Sequence, residues 1–308
     1  MSELHSIFND TLLNSTVRSV APILLAGLGG LLCARVGVFN VALEGLMLIG
    51  AFFAVVGSYY SGHAMVGVVT AIAAGALFAT VLAVLAVSLG GNEVVIGIAL
   101  NLLATGLTVF LMRTMFSVQG EFQDDRIKGF PALSLGPVGN IPILGPIVSG
   151  HTWIVYCSWL LVIATYVLLF RMPLGLRMRG VGELPQAAAS LGVSVRKMQY
   201  TALILSGALC GLAGAQLSLS LRLFTENMSA GRGWIAVVAV MLGQANPFGV
   251  LGASALFGFA DAVGFNLQGN LPSELTGAIP YVATLMALAI YQARRRATRS
   301  AGTPLEGS

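Results

Sequence analysis

Long apolar runs recur along the whole chain, and they constrain its fold more than any other feature. A helix needs about 20 consecutive apolar residues to cross about 30 Å of hydrocarbon. Since lipid offers no hydrogen-bond partners, each run must satisfy its own backbone groups, as a helix does. The sequence therefore predicts an all-α integral membrane protein, a polytopic bundle of about eight to ten transmembrane helices in one domain over residues 1–308. The runs cover residues 11–33, 36–60, 64–89, 92–116, 151–170, 201–222, 234–243, 248–266 and 277–293.

The composition excludes a soluble or nucleic-acid-binding protein. Only 9% of the residues are charged and 56% are hydrophobic, whereas a soluble domain carries about a quarter charged residues. The net charge of +4 comes from local clusters and does not predict a nucleic-acid partner. Cys33, Cys157 and Cys210 lie in or beside apolar runs without metal-site spacing, so we expect free core thiols.

Two of the runs are irregular. The run 36–60 opens with the polar interruption GVFNVALEG, and the run 234–243 is too short to cross alone. Broken or re-entrant helices are tolerated where protein surrounds them. Either run could therefore be a broken or re-entrant helix among its neighbours.

The basic residues cluster in a way that predicts membrane orientation. The loop 171–199 carries five Lys/Arg and one acid, and the tail 294–308 carries Arg294, Arg295, Arg296 and Arg299. Cytoplasmic loops are enriched in Lys and Arg, so both segments are predicted to be cytoplasmic. An even number of crossings must then separate them, which makes 234–243 a crossing and puts the loop 117–150 outside. The side of the N-terminus stays open.

No catalytic apparatus is apparent in the sequence. The dipeptide Gly-Lys is absent, so the chain has no phosphate-binding P-loop. His5, His63 and His151 are scattered at the ends of runs and do not predict a zinc site. We therefore expect a non-enzyme that binds no cofactor and takes its energy from an ion gradient or a partner.

Four polar residues within the runs are candidates for a substrate path. Asn40 and Glu44 are four residues apart, hence on one face of a predicted helix. A carboxylate within a span faces a cavity or a partner; Glu44 could instead bond a neighbour's backbone or Arg35. Asn101 could bond a solute or another helix, and Asp261 could line the path or pair across a helix interface.

Charged residues near turns suggest further roles. Glu226 and Arg232 flank the predicted outer loop LFTENMSAGRG, where they could dock an extracytoplasmic protein or simply be solvated. Glu93 follows a tight turn and is predicted to be a helix cap or boundary charge, with a substrate ligand as the alternative.

A short helix is predicted inside the loop 171–199. In ELPQAAASLG, Pro185 suits the first helical position after Glu183, and Gly192 suits the end. A helix with a small apolar face can insert into a groove of another protein. A helix lying on the lipid surface is the alternative, but aromatic anchors are missing. The small face comprises Ala187, Ala188, Ala189 and Leu191.

Four stretches resemble one known family. They are GVFNVALEGLMLIGAF at 37–52, GGNEVVIGIALNLLATGL at 90–107, PLGLRMRGVGELPQAAASLGVSVRKMQY at 173–200 and AGRGWIAVVAVMLGQANPFGVLGASALFGFADA at 230–262. The chain resembles the membrane-spanning permease subunits of bacterial ABC importers, in the branch shared by ribose-type, branched-chain amino acid and nucleoside systems. FNVALEG and the AGRGW–NPFG stretch are most similar to nucleoside permeases.

The resemblance implies a set of partners and a location. These are a second related permease subunit, a cytosolic ABC ATPase with two nucleotide-binding halves that uses ATP and magnesium, and an extracytoplasmic substrate-binding protein. It implies a multi-pass protein in the bilayer of the bacterial cell membrane. By this likeness the ATPase-coupling residues are Arg179, Gly182, Glu183, Ala187, Ala188 and Gly192.

The resemblance also implies a substrate. The chain is expected to form half of an ATP-driven translocation path for a small polar solute, and nucleosides are the preferred substrate class. A sugar such as ribose, or branched-chain amino acids, is the first alternative. The second is an ion-coupled secondary transporter, for which Glu44 and Asp261 are the candidate ion-binding groups.

Overall fold

The structure is a computed structural model that describes residues 10–133 and 148–267, together with Val282 and Met286. Seven of the described helices are long and apolar enough to cross a membrane, and the apolar helix Arg232–Leu242 is shorter. The predicted all-α polytopic bundle is confirmed. Most of the predicted run 277–293, the tail 294–308 and part of the loop 117–150 lie outside the described residues.

The described elements alternate between long helices and short connections. In chain order they are α1 (Asp10–Ala34), α2 (Leu43–Ser61), α3 (Ala64–Ala83) with the π-helical turn Val84–Ser88, α4 (Glu93–Phe116), β1 (Glu121–Gln123), α5 (Trp153–Arg171), α6 (Pro173–Glu183), α7 (Pro185–Ser190), α8 (Val195–Leu221), β2 (Leu223–Thr225), α9 (Arg232–Leu242) and α10 (Pro247–Leu267).

Glycines bring α2, α3 and α8 into backbone contact at the centre of the bundle. A Cβ placed on Gly50 of α2 would lie 2.5 Å from the Cα of Gly211 in α8. A Cβ on Gly75 of α3 would lie 2.3 Å from the carbonyl oxygen of Gly207. Small residues permit such approaches in lipid, where helices associate by close packing and not by apolar burial. We call these three helices the glycine-packed body.

One end of the bundle carries the two short strands, and we call it the strand end. β1 pairs antiparallel with β2, with Glu121 opposite Thr225. The Ser58 hydroxyl, at the end of α2, lies 2.8 Å from both the carbonyl oxygen and the amide nitrogen of Lys128. The sequence predicted helices and loops only, so these strands are new. The pairing connects the loop that follows α4 to the loop that follows α8.

The opposite end carries six Lys/Arg residues and two acids among the residues described there, and we call it the basic end. The predicted loop 171–199 is far more helical than expected. α6 precedes the predicted helix α7, and α8 begins at Val195 where Ser194 caps it, its hydroxyl accepting from the Lys197 amide. The members are Arg35, Arg171, Arg177, Arg179, Arg196 and Lys197, with Glu93 and Glu183.

The two irregular runs differ in the structure: the first has a non-helical start, and the second lies almost wholly within the short helix α9. α1 ends at Ala34 and α2 begins only at Leu43, so residues 35–42 are non-helical. The chain leaves β2 at the strand end, turns through residues 226–231, and α9 then carries it to the basic end. There the carbonyl of Ala245 meets Arg35. Residues 226–245 therefore pass from the strand end to the basic end, and within them only α9 is helical.

Candidate translocation and coupling site

Residues 35–44, which we call the bracket, link α1 to α2 and hold two of the four predicted path residues, Asn40 and Glu44. Non-helical backbone in a membrane protein needs partners from neighbouring elements. Here α4 supplies them. The Glu93 carboxylate accepts from the amide of Phe39. The Asn101 side chain accepts from the Gly45 amide at 2.8 Å and donates to the Val41 carbonyl at 3.0 Å. Asn101 therefore makes the interhelical bonds that were its second interpretation.

Asn40 lies within the bracket, which corrects one prediction. It does not share a helix face with Glu44, since α2 begins after it. Its side-chain oxygen accepts from the Ala42 amide at 2.9 Å, and its side-chain nitrogen donates to the Ser206 hydroxyl at 3.1 Å. The same nitrogen is 3.8 Å from the Sγ of Cys33. Asn40 thus ties the bracket to α8.

Glu44 binds the N-terminal end of α9. Its two carboxylate oxygens accept from the amides of Gly231 at 2.8 Å and Gly233 at 2.7 Å. Only 9% of the Glu44 residue surface is exposed. A carboxylate at a helix N-terminus satisfies amides without intrahelical partners and complements the helix dipole. Of the partners considered from the sequence, the neighbouring backbone is the one that Glu44 contacts.

Gly233 is required by this contact. A Cβ on Gly233 would lie 2.4 Å from the Glu44 amide nitrogen and 2.7 Å from its carboxylate. The start of α9 therefore packs directly against the start of α2.

Arg232 and Asp261 form an ion pair between α9 and α10. The guanidinium donates to the Asp261 carboxylate at 3.1 Å, and both side chains are about one-fifth exposed. This is the cross-helix pairing considered for Asp261. Arg232 is the first residue of α9, at the edge of the predicted outer loop, and its side chain is turned to α10. A docking role for Arg232 stays a prediction.

Arg35 binds the opposite end of α9. Its Nε donates to the carbonyl of Ala245 at 2.7 Å, in the turn that follows Leu242. The guanidiniums of Arg35 and Arg179 both lie over the ring of Phe170, at 5.6 and 4.9 Å from its centroid. Burial and the charge of Arg179 lower the pKa of Arg35, which nearby Glu183 partly offsets. Arg35 of the bracket therefore lies close enough to Arg179 and Glu183 of α6 to interact with their charges.

Gly182 puts the backbone of α6 against the bracket. A Cβ on Gly182 would lie 2.4 Å from the Arg35 carbonyl oxygen and 3.2 Å from the Gly37 amide nitrogen. A Cβ on Gly180, two residues earlier, would meet nothing within 4 Å. Gly182 is thus a site of close approach, while Gly180 faces open space.

The bracket, α9 and the end of α1 line an open cavity of about 220 Å³ near the basic end. Phe39 supplies an aromatic ring, Asn40 and Gln244 supply amides, and the remaining wall is mostly apolar. An apolar cavity with a few convergent polar groups is the usual form of a small-molecule site. Of the four predicted path residues, only Asn40 lines this cavity. Its other lining residues include Val237, Val240 and Met241 from α9.

The structure divides the six predicted coupling residues by exposure. Glu183, Ala187 and Gly192 lie on the surface, whereas Ala188 is 7% exposed and faces the bundle. Arg179 and Gly182 pack on Phe170 and on the bracket. α7 begins at Pro185 as predicted, and Gly192 follows it with φ +81°.

Exposed leucines complete the outer surface of this region. Leu176, Leu184 and Leu191 are 65%, 67% and 84% exposed. We call these leucines, with Glu183 and Ala187, the α6–α7 surface. Apolar side chains exposed beside basic ones are typical of a protein interaction site.

Glu226 lies at the strand end, apart from the cavity. Its amide donates to the Gly120 carbonyl at 2.9 Å, and its carboxylate accepts from the Gly120 amide at 3.0 Å. It therefore extends the pairing of β1 with β2. Because it is partly exposed, a docking role stays a prediction.

Sequence reasoning missed the part played by Arg35 and Glu93. Arg35 was noted only as a possible partner of Glu44, and Glu93 only as a cap or boundary charge. Asn92 is the actual cap of α4, its side chain accepting from the amides of Val94 and Val95. Arg35 and Glu44 lie at the two ends of the polar break, and this position was the signal that could have assigned Arg35 to it. Glu93 is 54 positions from Phe39, so no local signal links Glu93 to the break. No group of His, Cys, Asp or Glu that could hold a metal occurs among the described residues.

Comparison with known proteins places the chain in one family. Residues 12–288 match the family described as the branched-chain amino acid transport system permease component. The chain is 36% identical over 307 residues to the guanosine ABC transporter permease NupQ of Bacillus subtilis, with 94% of each chain covered. No solved structure matches it.

Two further relatives span nearly the whole chain. The putative glucose ABC transporter permease TsgC13 of Haloferax volcanii is 38% identical, over 89% of this chain and 85% of its own. The nucleoside ABC transporter permease NupC of Lactococcus lactis is 33% identical, over 91% and 92%. The resemblance found in the sequence motifs is thus confirmed. The chain belongs to the branched-chain amino acid-type permease family and is a multi-pass permease of the ABC transporter class.

Proposed function

We propose that this chain forms half of an ATP-driven path that imports nucleosides. The observation that carries the proposal is the α6–α7 surface. The helix α6 behind it contacts the bracket through Gly182, and the bracket lines the cavity. Movement imposed on such a surface by an ATPase has a direct route to the cavity. The substrate class rests on two relatives whose names specify guanosine and nucleosides.

The α6–α7 surface is the proposed seat for a cytosolic ATPase. Its exposed leucines offer apolar anchors, and the basic residues of the same end follow the positive-inside distribution of a cytoplasmic face. Glu183 and Ala187 take the coupling role on this surface, together with Gly192 beside it. Arg179, Gly182 and Ala188 fix the surface to the bundle.

The cavity beside the bracket is the proposed inner part of the path. Phe39 can stack on a planar base, and the Gln244 amide can donate and accept hydrogen bonds to its edge. Asn40, already bonded to Ser206 and Ala42, holds the wall in shape. A second related permease would complete the path, as the similarity to both NupQ and the 28% identical guanosine permease NupP of the same organism suggests.

Deleting the gene in its native host tests the substrate class. Uptake of labelled guanosine and uridine should fall to background, and a plasmid copy should restore it, while uptake of glucose and leucine stays unchanged. Loss of glucose uptake alone would favour a sugar permease, which the similarity to TsgC13 makes the second candidate.

The energy source separates the proposal from an ion-coupled transporter. Arsenate, which depletes ATP, should stop nucleoside uptake in the complemented strain. A protonophore should leave uptake intact in cells whose ATP is maintained by fermentation. The reverse pattern would contradict the proposal and assign the ion-coupled mechanism.

A further inference from the structure

We propose that Arg35 and Glu44 are positioning residues that clamp the half-helix α9 by its two ends, and that Gly182 passes movement of the α6–α7 surface to this clamp. The inference deepens the proposed function, on which it rests. It assigns the moving element: α9, one wall of the cavity, shifts when the bracket is displaced.

The charges of the clamp match the polarity of α9. A helix carries partial positive charge at its N-terminus and partial negative charge at its C-terminus. The Glu44 carboxylate bonds two amides at the N-terminal end, and the Arg35 guanidinium bonds the Ala245 carbonyl just past the C-terminal end. Both charges belong to the ten-residue bracket, so one segment spans the half-helix from end to end.

The backbone at each end of α9 is held in an unfavourable conformation. Ala230 and Gly231 before the helix have φ +47° and +81°, and Gln244 and Ala245 after it both have φ +51°. Residues other than glycine adopt this region only when their surroundings enforce it, and such sites cluster at switches. The strained residues are Ala230 before the helix and Gln244 and Ala245 after it, whereas glycine tolerates the positive φ of Gly231. A bracket charge binds Gly231, next to Ala230, at one end and Ala245 at the other. Release of either contact would therefore let that end of α9 relax.

The bracket contacts α6 through backbone atoms, so no side chain there can move aside. The space between Gly182 and the Arg35 carbonyl is too small even for a Cβ, so α6 cannot approach without pushing the first residues of the bracket. Displacement of Arg35 would pull on the Ala245 carbonyl, to which its guanidinium donates. The cavity residues Val240 and Met241 lie on the last turn of α9 beside that bond.

A cysteine introduced at position 241 reports the position of α9. Met241 is 53% exposed and lines the cavity. Cys33 and Cys210 are fully buried, so Cys157→Ser with Met241→Cys gives a background with one reactive thiol in the described part of the chain. Its labelling rate by fluorescein maleimide would be measured in nanodiscs that hold the whole transporter purified from its host, with and without ATP plus vanadate.

The matched glycines test the transmission step. In the parent background we expect the labelling rate to change about five-fold between the two conditions. Gly182→Ala should abolish this change, and Gly180→Ala should retain it. An equal response in both glycine variants would overturn the transmission step. A parent that ignores nucleotide would overturn the assignment of α9 as the moving element. The proposed function fails on a different result, namely nucleoside uptake that does not depend on the gene or on ATP, so the two failures are distinct.

Charge variants test the clamp without nucleotide. Glu44→Gln should raise the basal labelling at position 241 about three-fold or more, because α9 loses its N-terminal carboxylate. Arg35→Gln acts at the opposite, less buried end of α9 and should raise the basal labelling as well. It keeps the test possible if Glu44→Gln fails to assemble. Glu44→Asp should restore part of the protection, which a purely steric role would not explain. Basal labelling unchanged in both Gln variants would overturn the clamp.

Discussion

The glycine-packed body and the clamped half-helix α9 are held by different kinds of contact. In the body, the backbones of α2, α3 and α8 touch, and a Cβ on Gly50 would lie 2.5 Å from the Cα of Gly211. Around α9, single side chains satisfy broken backbone, as Glu44 does for Gly231 and Gly233. One region is fixed by shape and the other by hydrogen bonds.

The difference matters because the two kinds of contact respond differently to force. A close-packed interface has low compressibility and transmits strain. A hydrogen bond between a charged side chain and backbone can be exchanged for another within the same space. A transporter needs both, since a rigid frame must remain while one wall of the path moves. The body fits the first role and α9 fits the second.

The largest expected effect is in the body. Gly50→Leu should prevent assembly or lower the free energy of unfolding by roughly 3 kcal/mol or more, because the added atoms meet the backbone of α8. Thermal unfolding in detergent and the yield of monodisperse protein would measure it. Gly106→Leu is the control, since a Cβ there meets nothing within 4 Å. If both variants were equally stable, shape would not be what fixes the body.

A smaller loss is expected where α4 supports the bracket. Asn101→Ala leaves the Val41 carbonyl and the Gly45 amide without these partners, at a cost of about 1–3 kcal/mol. The same thermal unfolding would measure it. Thr105→Ala, one turn later on α4, removes a hydroxyl that bonds only its own helix and should change little. A loss as large in Thr105→Ala would show that the bracket has no special dependence on Asn101.

Much of this architecture follows from the sequence, because its causes are local. Apolar length predicts each span, and the polar interruption before Glu44 predicts the break that begins α2 at Leu43. Pro185 and Gly192 predict the bounds of α7. Each of these signals lies within the segment that it shapes.

The parts that could not be predicted depend on pairs far apart in the chain. Glu44 and Gly233 are 189 positions apart, and no property of either segment specifies the other. Asn40 and Glu44 were assigned to one face because a helical spacing was assumed, whereas the chain has not yet become helical at Asn40. Arg232 was assigned to a loop because the length of the short run did not reveal where α9 begins.

A still smaller effect is expected for the ion pair that joins α9 to α10. A double-mutant cycle of Arg232→Gln and Asp261→Asn should give a coupling of about 1 kcal/mol, because both side chains keep some exposure. Thermal unfolding of the four proteins provides the cycle. A coupling near zero would indicate that Glu44 alone fixes the start of α9.

The smallest effect on stability is expected on the α6–α7 surface. Leu191→Ser removes an 84% exposed side chain, so the thermal unfolding of the isolated permease should not change. Retention of the ATPase during affinity purification should nevertheless drop, since an exposed apolar anchor contributes on the order of 1 kcal/mol or more to an interface. Leu102→Ser is the matched control, because Leu102 is 71% exposed on a spanning helix remote from α7. Equal retention of the ATPase in both variants would show that the docking surface lies elsewhere and would leave the clamp without its proposed input.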